Sequence, residues 1–327
     1  MLKTKATGLL SLLMLQTSFT NSYNSAESCF PTNKEHIPVF DNLRDGEEVT
    51  GISEEDFNLV LDELEAVYTE VFEDLGKNFV VNRLWENTQV NASAQQSGDD
   101  WIINMYGGLA RHKHATLDSF RVVACHELGH HLGGAPIKST WWGTVSWASN
   151  EGQSDYYANF VCMKKLILEG QEGGLEVISP DLSIYESEEI AAAEAACDER
   201  FDIDAESDYD NDYSICLRTS LAGLSLGRLL GDSDEISLLK RDSAVASKTN
   251  HNHPKAQCRA DTYFAASMCD TPTTPVLDSK DPNLGTCNRA DGFAYGLRPL
   301  CWFKPELADD EDEDEGGWWL ASANQNN

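Results

Sequence analysis

Basic residues are scarce in this chain, and several common sequence patterns are missing from it. Lys and Arg together number 24 against 55 Asp and Glu, which gives a formal net charge of −31. Such a charge disfavours nucleic acids and anionic membrane surfaces as partners. No stretch after the N-terminal region approaches the roughly 18 apolar residues of a membrane-spanning helix. No segment recurs at a fixed period as in repeat proteins. These absences favour a globular domain whose partners are not anionic polymers.

The N-terminus has the organisation of a signal peptide. Lys3 and Lys5 precede an apolar run over residues 8–15 that is too short to cross a bilayer, and small polar residues follow it. We therefore predict a signal peptide over residues 1–22 and export of the chain, which makes it periplasmic or secreted. The mature chain is predicted to have no transmembrane segment.

A His-Glu-x-x-His motif occupies residues 126–130. On a helix, His126 and His130 stack one turn apart on the same face and can bind a single Zn²⁺. Glu127 follows the first histidine directly and can take a proton from an activated water, as in zincin metallopeptidases. The residues before the motif are typical of the first turns of a helix, and two glycines after it indicate the helix end. The motif predicts one catalytic zinc ion, with Glu127 as the general base.

A second motif follows at residues 150–155 and is typical of the start of another helix. Glu151 can complete a His₂Glu zinc site. Asp155 lies four residues later on the same helical face, where it can accept a proton from the second ring nitrogen of a zinc-bound histidine. The two motifs together predict His126, His130 and Glu151 as metal ligands, with Asp155 supporting one of them.

The nine cysteines of the chain indicate several disulfides in an oxidising compartment, since no Cys-x-x-Cys pair marks a separate zinc ribbon. The odd count leaves one cysteine over, and the connectivity of the others stays open. Cys125, next to the first predicted ligand, is predicted to be the free thiol. Lipid attachment at Cys29 also stays open, although Ala26-Glu27-Ser28 before it lacks the apolar residue that a lipidation site requires.

The pattern along the chain predicts an α+β fold with a small N-terminal sheet, an active-site helix and a mostly helical C-terminal half. Ser53 begins an amphipathic helix that ends at Gly76. The predicted strands cover residues 79–85, 88–94 and 101–106, and the predicted later helices cover residues 155–168, 187–201 and 213–230. In zincins the strand in this position is the sheet edge that pairs with an extended peptide, so the last strand is expected to be that edge. A single zincin-like domain is predicted over residues 29–305, followed by an acidic low-complexity tail, 306–327.

An acidic loop lies between the last two of these helices. Acidic residues alternate with other residues from Asp202 to Asp212, which raises the possibility of a Ca²⁺ site. The EF-hand template is not met, because Ser207 stands where glycine is required and Tyr213 where a bidentate glutamate is required. A solvated loop is therefore favoured over a calcium site.

A late histidine-proline pair, His253-Pro254, is followed by Arg259 at the start of a helix. The His-Glu-x-x-His helix, the Glu-x-x-x-Asp helix and this late segment occur in the same order in the HtpX/CAAX prenyl endopeptidase family of gluzincin metallopeptidases. The chain resembles that family from Trp101 to about Met268. The resemblance implies these roles: zinc ligands His126, His130 and Glu151; catalytic base Glu127; supporting carboxylate Asp155; late catalytic residues His253 and Arg259.

The resemblance implies a zinc-dependent endopeptidase that acts on a peptide or protein substrate. Many family members are integral membrane proteins and this chain is not, so it is similar to the soluble exported members, and prenylated substrates are not implied. An exported zinc-binding assembly or chaperone-like protein without turnover is the alternative, and Glu127 argues against it. A calcium-dependent binding module is a third class. The remaining histidines are predicted to be structural or exposed: His36, His112, His114, His131 and His251.

Overall fold

The computed structural model describes residues 27–30, 35–39, 50–139, 145–172, 182–201 and 209–306. Over these ranges the chain is a mixed α+β structure, as predicted. The predicted signal peptide, residues 202–208 of the acidic loop and the acidic tail from residue 307 onwards lie outside the described residues. The last residues of the predicted loop, from 209, belong to a helix.

The helices follow the sequence prediction closely. They are α1 (Glu54–Asp74), α2 (Gly107–Ala110), α3 (Leu117–Leu132), α4 (Glu151–Tyr157), α5 (Lys164–Glu172), α6 (Ser187–Phe201), α7 (Tyr209–Gly231) and α8 (Ala256–Ser267). A π-helical stretch, Ala158–Met163, joins α4 to α5, and a short 3₁₀ turn covers Leu182–Ile184. Among the described residues, no helix is long and apolar enough to cross a membrane.

The strands form one four-stranded sheet and one hairpin. They are β1 (Glu27–Ser28), β2 (Asn78–Leu84), β3 (Ala92–Ser97), β4 (Asp100–Tyr106), β5 (Ile137–Ser139) and β6 (Val145–Ser149). The sheet has the order β1-β3-β4-β2, in which β2 is parallel to β4 and the other pairs are antiparallel. The hairpin pairs β5 with β6 and connects α3 to α4.

The prediction that the last strand of the sheet forms its edge is wrong. Strand β4 lies inside the sheet, where Trp101 is opposite Phe79 on one side and Gln96 on the other. Alternation along a strand shows which side chains share a face, but it carries no information about how many neighbours the strand has. The two outer strands of the sheet are β1 and β2, and β3 lies between the short strand β1 and β4.

Local signals explain why α3 begins and ends where it does. Thr116 and Ser119 form a capping box, in which each side chain accepts a hydrogen bond from the backbone N–H of the other residue. Gly133 ends the helix. Every residue from Ser119 to Leu132 is buried, because α1, α4, α7 and the sheet all pack against this helix. The metal motif is thus held on a helix with no solvent-facing side over its last turns.

Close packing of α3 against α4 requires a glycine. A Cβ atom at Gly129 would lie 2.9 Å from backbone atoms of Ser154, which is closer than real Cβ contacts come. The absence of a side chain at Gly129 therefore lets the two helices that carry the predicted ligands approach each other. This glycine lies between the two histidines of the motif, so the motif itself contains the residue that permits the contact.

Four disulfides cross-link the chain, in agreement with the prediction of several. They are Cys125–Cys162, Cys197–Cys216, Cys258–Cys301 and Cys269–Cys287. The prediction that Cys125 is free is wrong, because α3 packs against the π-helical stretch and brings the Cα atom of Cys162 to 5.5 Å. The free cysteine is Cys29, which is fully buried.

Candidate metal centre

Helices α3 and α4 bring His126, His130 and Glu151 together. One potential ligand atom from each lies within 4.8 Å of the other two, and all three residues are fully buried. The Oε2 atom of Glu151 is 3.4 Å from Nε2 of His126 and 3.9 Å from Nε2 of His130. The group of three that the sequence predicted could therefore hold a metal ion.

The second ring nitrogen of each histidine is already engaged. Nδ1 of His126 is 2.8 Å from Oδ1 of Asp155. Nδ1 of His130 donates to the backbone carbonyl of Ser149 at 3.0 Å, and Oγ of Ser154 lies at the same distance from it. These contacts place the ring protons on Nδ1 and leave both Nε2 lone pairs available to a cation, which is how metal-binding histidines are commonly oriented.

The remaining atoms of the site test whether a cation fits. Buried polar atoms almost always have a hydrogen-bond partner. Among the described residues, the following buried atoms have none: Nε2 of His126, Nε2 of His130, and both carboxylate oxygens of Glu127 and of Glu151. A positive ion would satisfy two imidazole lone pairs and a carboxylate at once, so the donor set fits a metal.

The charges around the ligands also favour a cation. Burial lowers the pKa of His130 to about 3, which keeps its imidazole neutral and able to bind a metal. Burial also lowers the pKa of His126, but the Asp155 carboxylate outweighs it and raises that pKa to about 9. The site therefore favours a positive charge at this ring, which a metal ion at Nε2 would supply in place of the proton. Burial raises the pKa of Glu151, but His130, His126 and His253 hold it well below its usual value. Glu151 therefore stays a carboxylate.

Glu127 follows His126 on α3 and is fully buried. Burial is the main cause that raises its pKa to about 8, while His126 opposes the shift and Glu151 adds to it. A cation held by the neighbouring ligands would oppose the shift further, because a nearby positive charge favours the carboxylate. Glu127 has no structural hydrogen bond within the described chain that would explain its burial.

Arg259 lies on the Nδ1 side of His126. Its Nε and Nη2 atoms donate to the two carboxylate oxygens of Asp155 at 2.8 and 2.7 Å, and Nη2 is 3.4 Å from Nδ1 of His126. The Tyr263 hydroxyl also donates to Asp155. Arg259 thus holds the carboxylate that orients His126. The catalytic role predicted for Arg259 from the sequence stays a prediction.

His253 reaches the centre from the segment before α8. Its Nε2 atom lies 3.3 Å from Oε2 of Glu151 and 2.7 Å from the backbone oxygen of Ser28. The side chain is 18% exposed, unlike the fully buried ligands. The structure therefore brings all seven predicted site residues into one connected cluster. Asp155 and Arg259 are buried within it, and His253 is partly exposed.

Some residues at the centre were not predicted. Lys138, on β5, pairs with Glu27 and lies 3.6 Å from Oε1 of Glu151. The carbonyl of Ser149 comes from β6 of the same hairpin. Cys29 also lies here, within 4.8 Å of ligand atoms of His126 and Glu127. The unpaired cysteine was the only signal in the sequence that could have pointed to this segment.

His131 is predicted from the sequence to be structural or exposed and not a metal ligand. In the structure its ring stacks between Trp101 and Trp147, with centroid distances of 5.3 and 4.8 Å. Its Nε2 atom bonds to the backbone oxygen of Ile102 at 3.2 Å. His131 therefore packs against the sheet and does not face the ligands.

Comparisons of the chain with protein families, with curated proteins and with solved structures found no match.

The Asp155 contacts lead to a first prediction. Asp155→Asn keeps the shape of the side chain but weakens its hold on His126, so we expect metal affinity to fall by about 10–100-fold, as for other outer partners of metal ligands. Competition with a chelator at fixed pH measures the change. Asp261→Asn is the matched control, since Asp261 is also buried but bonds to Gln257 and to the backbone of Asp242. Equal affinities for the Asp155 variant and wild type would remove Asp155 from the site.

Proposed function

We propose that the chain is an exported zinc-dependent endopeptidase of the gluzincin type, with a zincin-like domain over residues 29–305. The observation that carries the proposal is Glu127. Its carboxylate is buried beside a His₂Glu group and neither oxygen has a hydrogen-bond partner among the described residues. A structural metal site has no use for such a carboxylate, whereas a hydrolase needs a general base there.

The donor set supports zinc. Two imidazole nitrogens and one carboxylate oxygen are the ligands of catalytic zinc sites in many metallopeptidases, which keep a further position for water or substrate. Zinc bound there would supply Lewis acidity that activates water and polarises a peptide carbonyl. His126, His130 and Glu151 would hold the ion, and their buried positions keep the geometry rigid.

The chain's own residues then have separable roles. Glu127 accepts a proton from the attacking water and returns it to the leaving amine. Asp155, held by Arg259 and Tyr263, keeps the Nε2 atom of His126 available to the metal. His253, at the exposed side of Glu151, is positioned to donate to the oxyanion that develops on the substrate. Arg259 supports this arrangement through Asp155 as a positioning residue.

Export is part of the proposal. The four disulfides are consistent with an oxidising compartment, because disulfides persist there and are rare in the cytosol. The predicted signal peptide agrees with this, and a periplasmic or secreted location follows. The acidic surface fits a peptide or protein substrate better than a nucleic acid.

An exported zinc-binding protein without turnover is the second candidate, and Cys29 favours it. Its thiol lies within 4.8 Å of ligand atoms of His126 and Glu127, and a metal site that a thiol joins as a further ligand would be closed, as structural zinc sites are. Under this alternative Glu127 would have no chemical role, and its substitution would leave every property except local packing unchanged.

Metal removal tests the proposal. We expect the purified protein to hold about one zinc ion per chain, and to cleave members of a peptide library at a rate that a chelator abolishes and added Zn²⁺ restores. Metal analysis and mass spectrometry of the library give the two measurements. Bound zinc without any cleaved peptide, in the wild type and in the Cys29→Ser protein alike, would favour the binding protein over the peptidase.

A further inference from the structure

A short N-terminal segment, residues 27–30, lies across the candidate metal centre. Glu27 and Ser28 pair antiparallel with Ala94 and Ser93 of β3, and the backbone N–H of Cys29 continues the ladder to the Ala92 carbonyl at 3.0 Å. An extended peptide that binds a sheet edge uses these same backbone bonds. Residues 27–30 therefore occupy the hydrogen-bonding edge of β3 that a bound peptide would otherwise use.

Residues of the centre hold this segment. His253 donates from Nε2 to the Ser28 carbonyl at 2.7 Å, and Nη1 of Arg259 donates to the Cys29 carbonyl at 3.0 Å. Glu27 pairs with Lys138, which also lies near Glu151. Two residues predicted to act on a substrate thus contact main-chain carbonyls of the segment, which is the kind of contact that a bound peptide would make.

Cys29 places a thiol beside His126, which is the residue that the group of Cys29, His126 and Glu127 shares with the group of His126, His130 and Glu151. All nine cysteines lie within the described ranges, eight are paired in disulfides, and Cys29 is the one that remains. Its Sγ atom lies within 4.8 Å of a ligand atom of His126 and of a carboxylate oxygen of Glu127. Nε2 of His126 and both carboxylate oxygens of Glu127 are buried here without a hydrogen-bond partner among the described residues, which indicates that a ligand is expected at this point.

A thiolate is a strong zinc ligand, and a metal ion deprotonates a coordinating thiol outright. The raised pKa that burial gives Cys29 is therefore no obstacle once an ion is present. We infer that residues 27–30 are an autoinhibitory segment that occupies the substrate position along β3, with the Cys29 thiolate as an additional ligand of the metal.

The autoinhibitory role of the segment rests on the proposed function, whereas the binding of Cys29 to the metal does not depend on it. When Cys29 binds the ion, the thiol proton passes to solvent and the position needed by water or substrate is filled. A peptide that pairs with β3 must displace the segment, so the protein is held in a latent form until the segment leaves. The same edge, once cleared, is the site where an extended substrate strand binds.

Cobalt substitution tests the ligand. We expect the Co²⁺ protein to show a sulfur-to-cobalt charge-transfer band in the near ultraviolet, and the zinc protein to show one sulfur neighbour at about 2.3 Å in X-ray absorption. The wild type is sufficient for both measurements, because the other eight cysteines are in disulfides. Cys29→Ser should lose the band while keeping the metal. A wild-type protein that lacks both sulfur signals overturns the inference.

Peptide hydrolysis tests the latency. Cys29→Ser should raise turnover roughly tenfold or more, which corresponds to a competent fraction of about 10% or less in the wild type. Glu27→Gln, which weakens only the Lys138 pair, should raise turnover less and keep the sulfur band. A sulfur band with equal turnover in wild type and Cys29→Ser overturns autoinhibition. A sulfur band with no hydrolysis by any variant contradicts both latency and the peptidase proposal, and leaves Cys29 as a ligand of a structural metal.

Discussion

Replacing Glu127 with glutamine is expected to lower peptide hydrolysis by about 10²–10⁴-fold without removing the metal. The amide is nearly the same size as the carboxylate but cannot accept a proton from water, and general-base catalysis contributes about this factor. The proposed ligands His126, His130 and Glu151 are unchanged, so metal content should stay at the wild-type level. Steady-state rates on a cleaved peptide, with metal analysis of the same samples, measure both quantities.

A matched control separates this effect from the loss of a buried charge. Glu189 is also buried and accepts hydrogen bonds from the Leu238 backbone and Arg228, outside the centre. Glu189→Gln should leave turnover close to that of the parent protein. The assays are made in the wild type or in the Cys29→Ser background, whichever is faster. Comparable rates for Glu127→Gln and its parent would refute the role of Glu127 as base.

Removal of a single imidazole should have the largest effect on metal binding. His130→Ala leaves two of the three proposed donors, so we expect zinc affinity to fall by more than about 100-fold, since even the loss of an outer partner costs 10–100-fold. The freed Ser149 carbonyl cannot replace the ligand from its place behind the ring. Metal content after dialysis against a weak chelator measures the loss.

The adjacent histidine is a strict control for this substitution. His131 is buried in the same helical turn, but it stacks on Trp101 and Trp147 and does not meet the ligands. His131→Ala should therefore lower the thermal unfolding midpoint while keeping the metal. Full zinc content in the His130→Ala protein would contradict the assignment of the centre, whatever the effect at position 131.

The helices of the centre could be predicted because the interactions that define them are local. His126 and His130 are four residues apart, as are Glu151 and Asp155, so each pair is predicted to share one helical face. Both pairs lie on helices in the structure, as predicted. Asn150 begins α4 as its N-cap and bonds to the backbone N–H of Gln153. Such signals are complete within a few residues of sequence.

The errors concern contacts between distant parts of the chain. Cys125 was expected to be free because it lies next to the first predicted ligand, and only the packing of α3 on the π-helical stretch brings Cys162 to it. The short strand β1 escaped prediction because two residues carry no periodic pattern. The hairpin that supplies the Ser149 carbonyl was missed for a related reason, since its strand β5 has only three residues.

The disulfide between Cys125 and Cys162 closes a loop of 37 residues that contains every predicted metal ligand, the predicted base and Asp155. A bound ion closes part of the same loop, so oxidation and metal binding both restrict the unfolded chain in one region. A loop of this size corresponds to about 3–4 kcal/mol in the chain-entropy description. Thiol oxidation and metal occupancy are therefore thermodynamically linked: reduction of this disulfide weakens metal binding, and metal loss makes the disulfide easier to reduce. Metal binding is therefore expected to be stronger once this disulfide has formed.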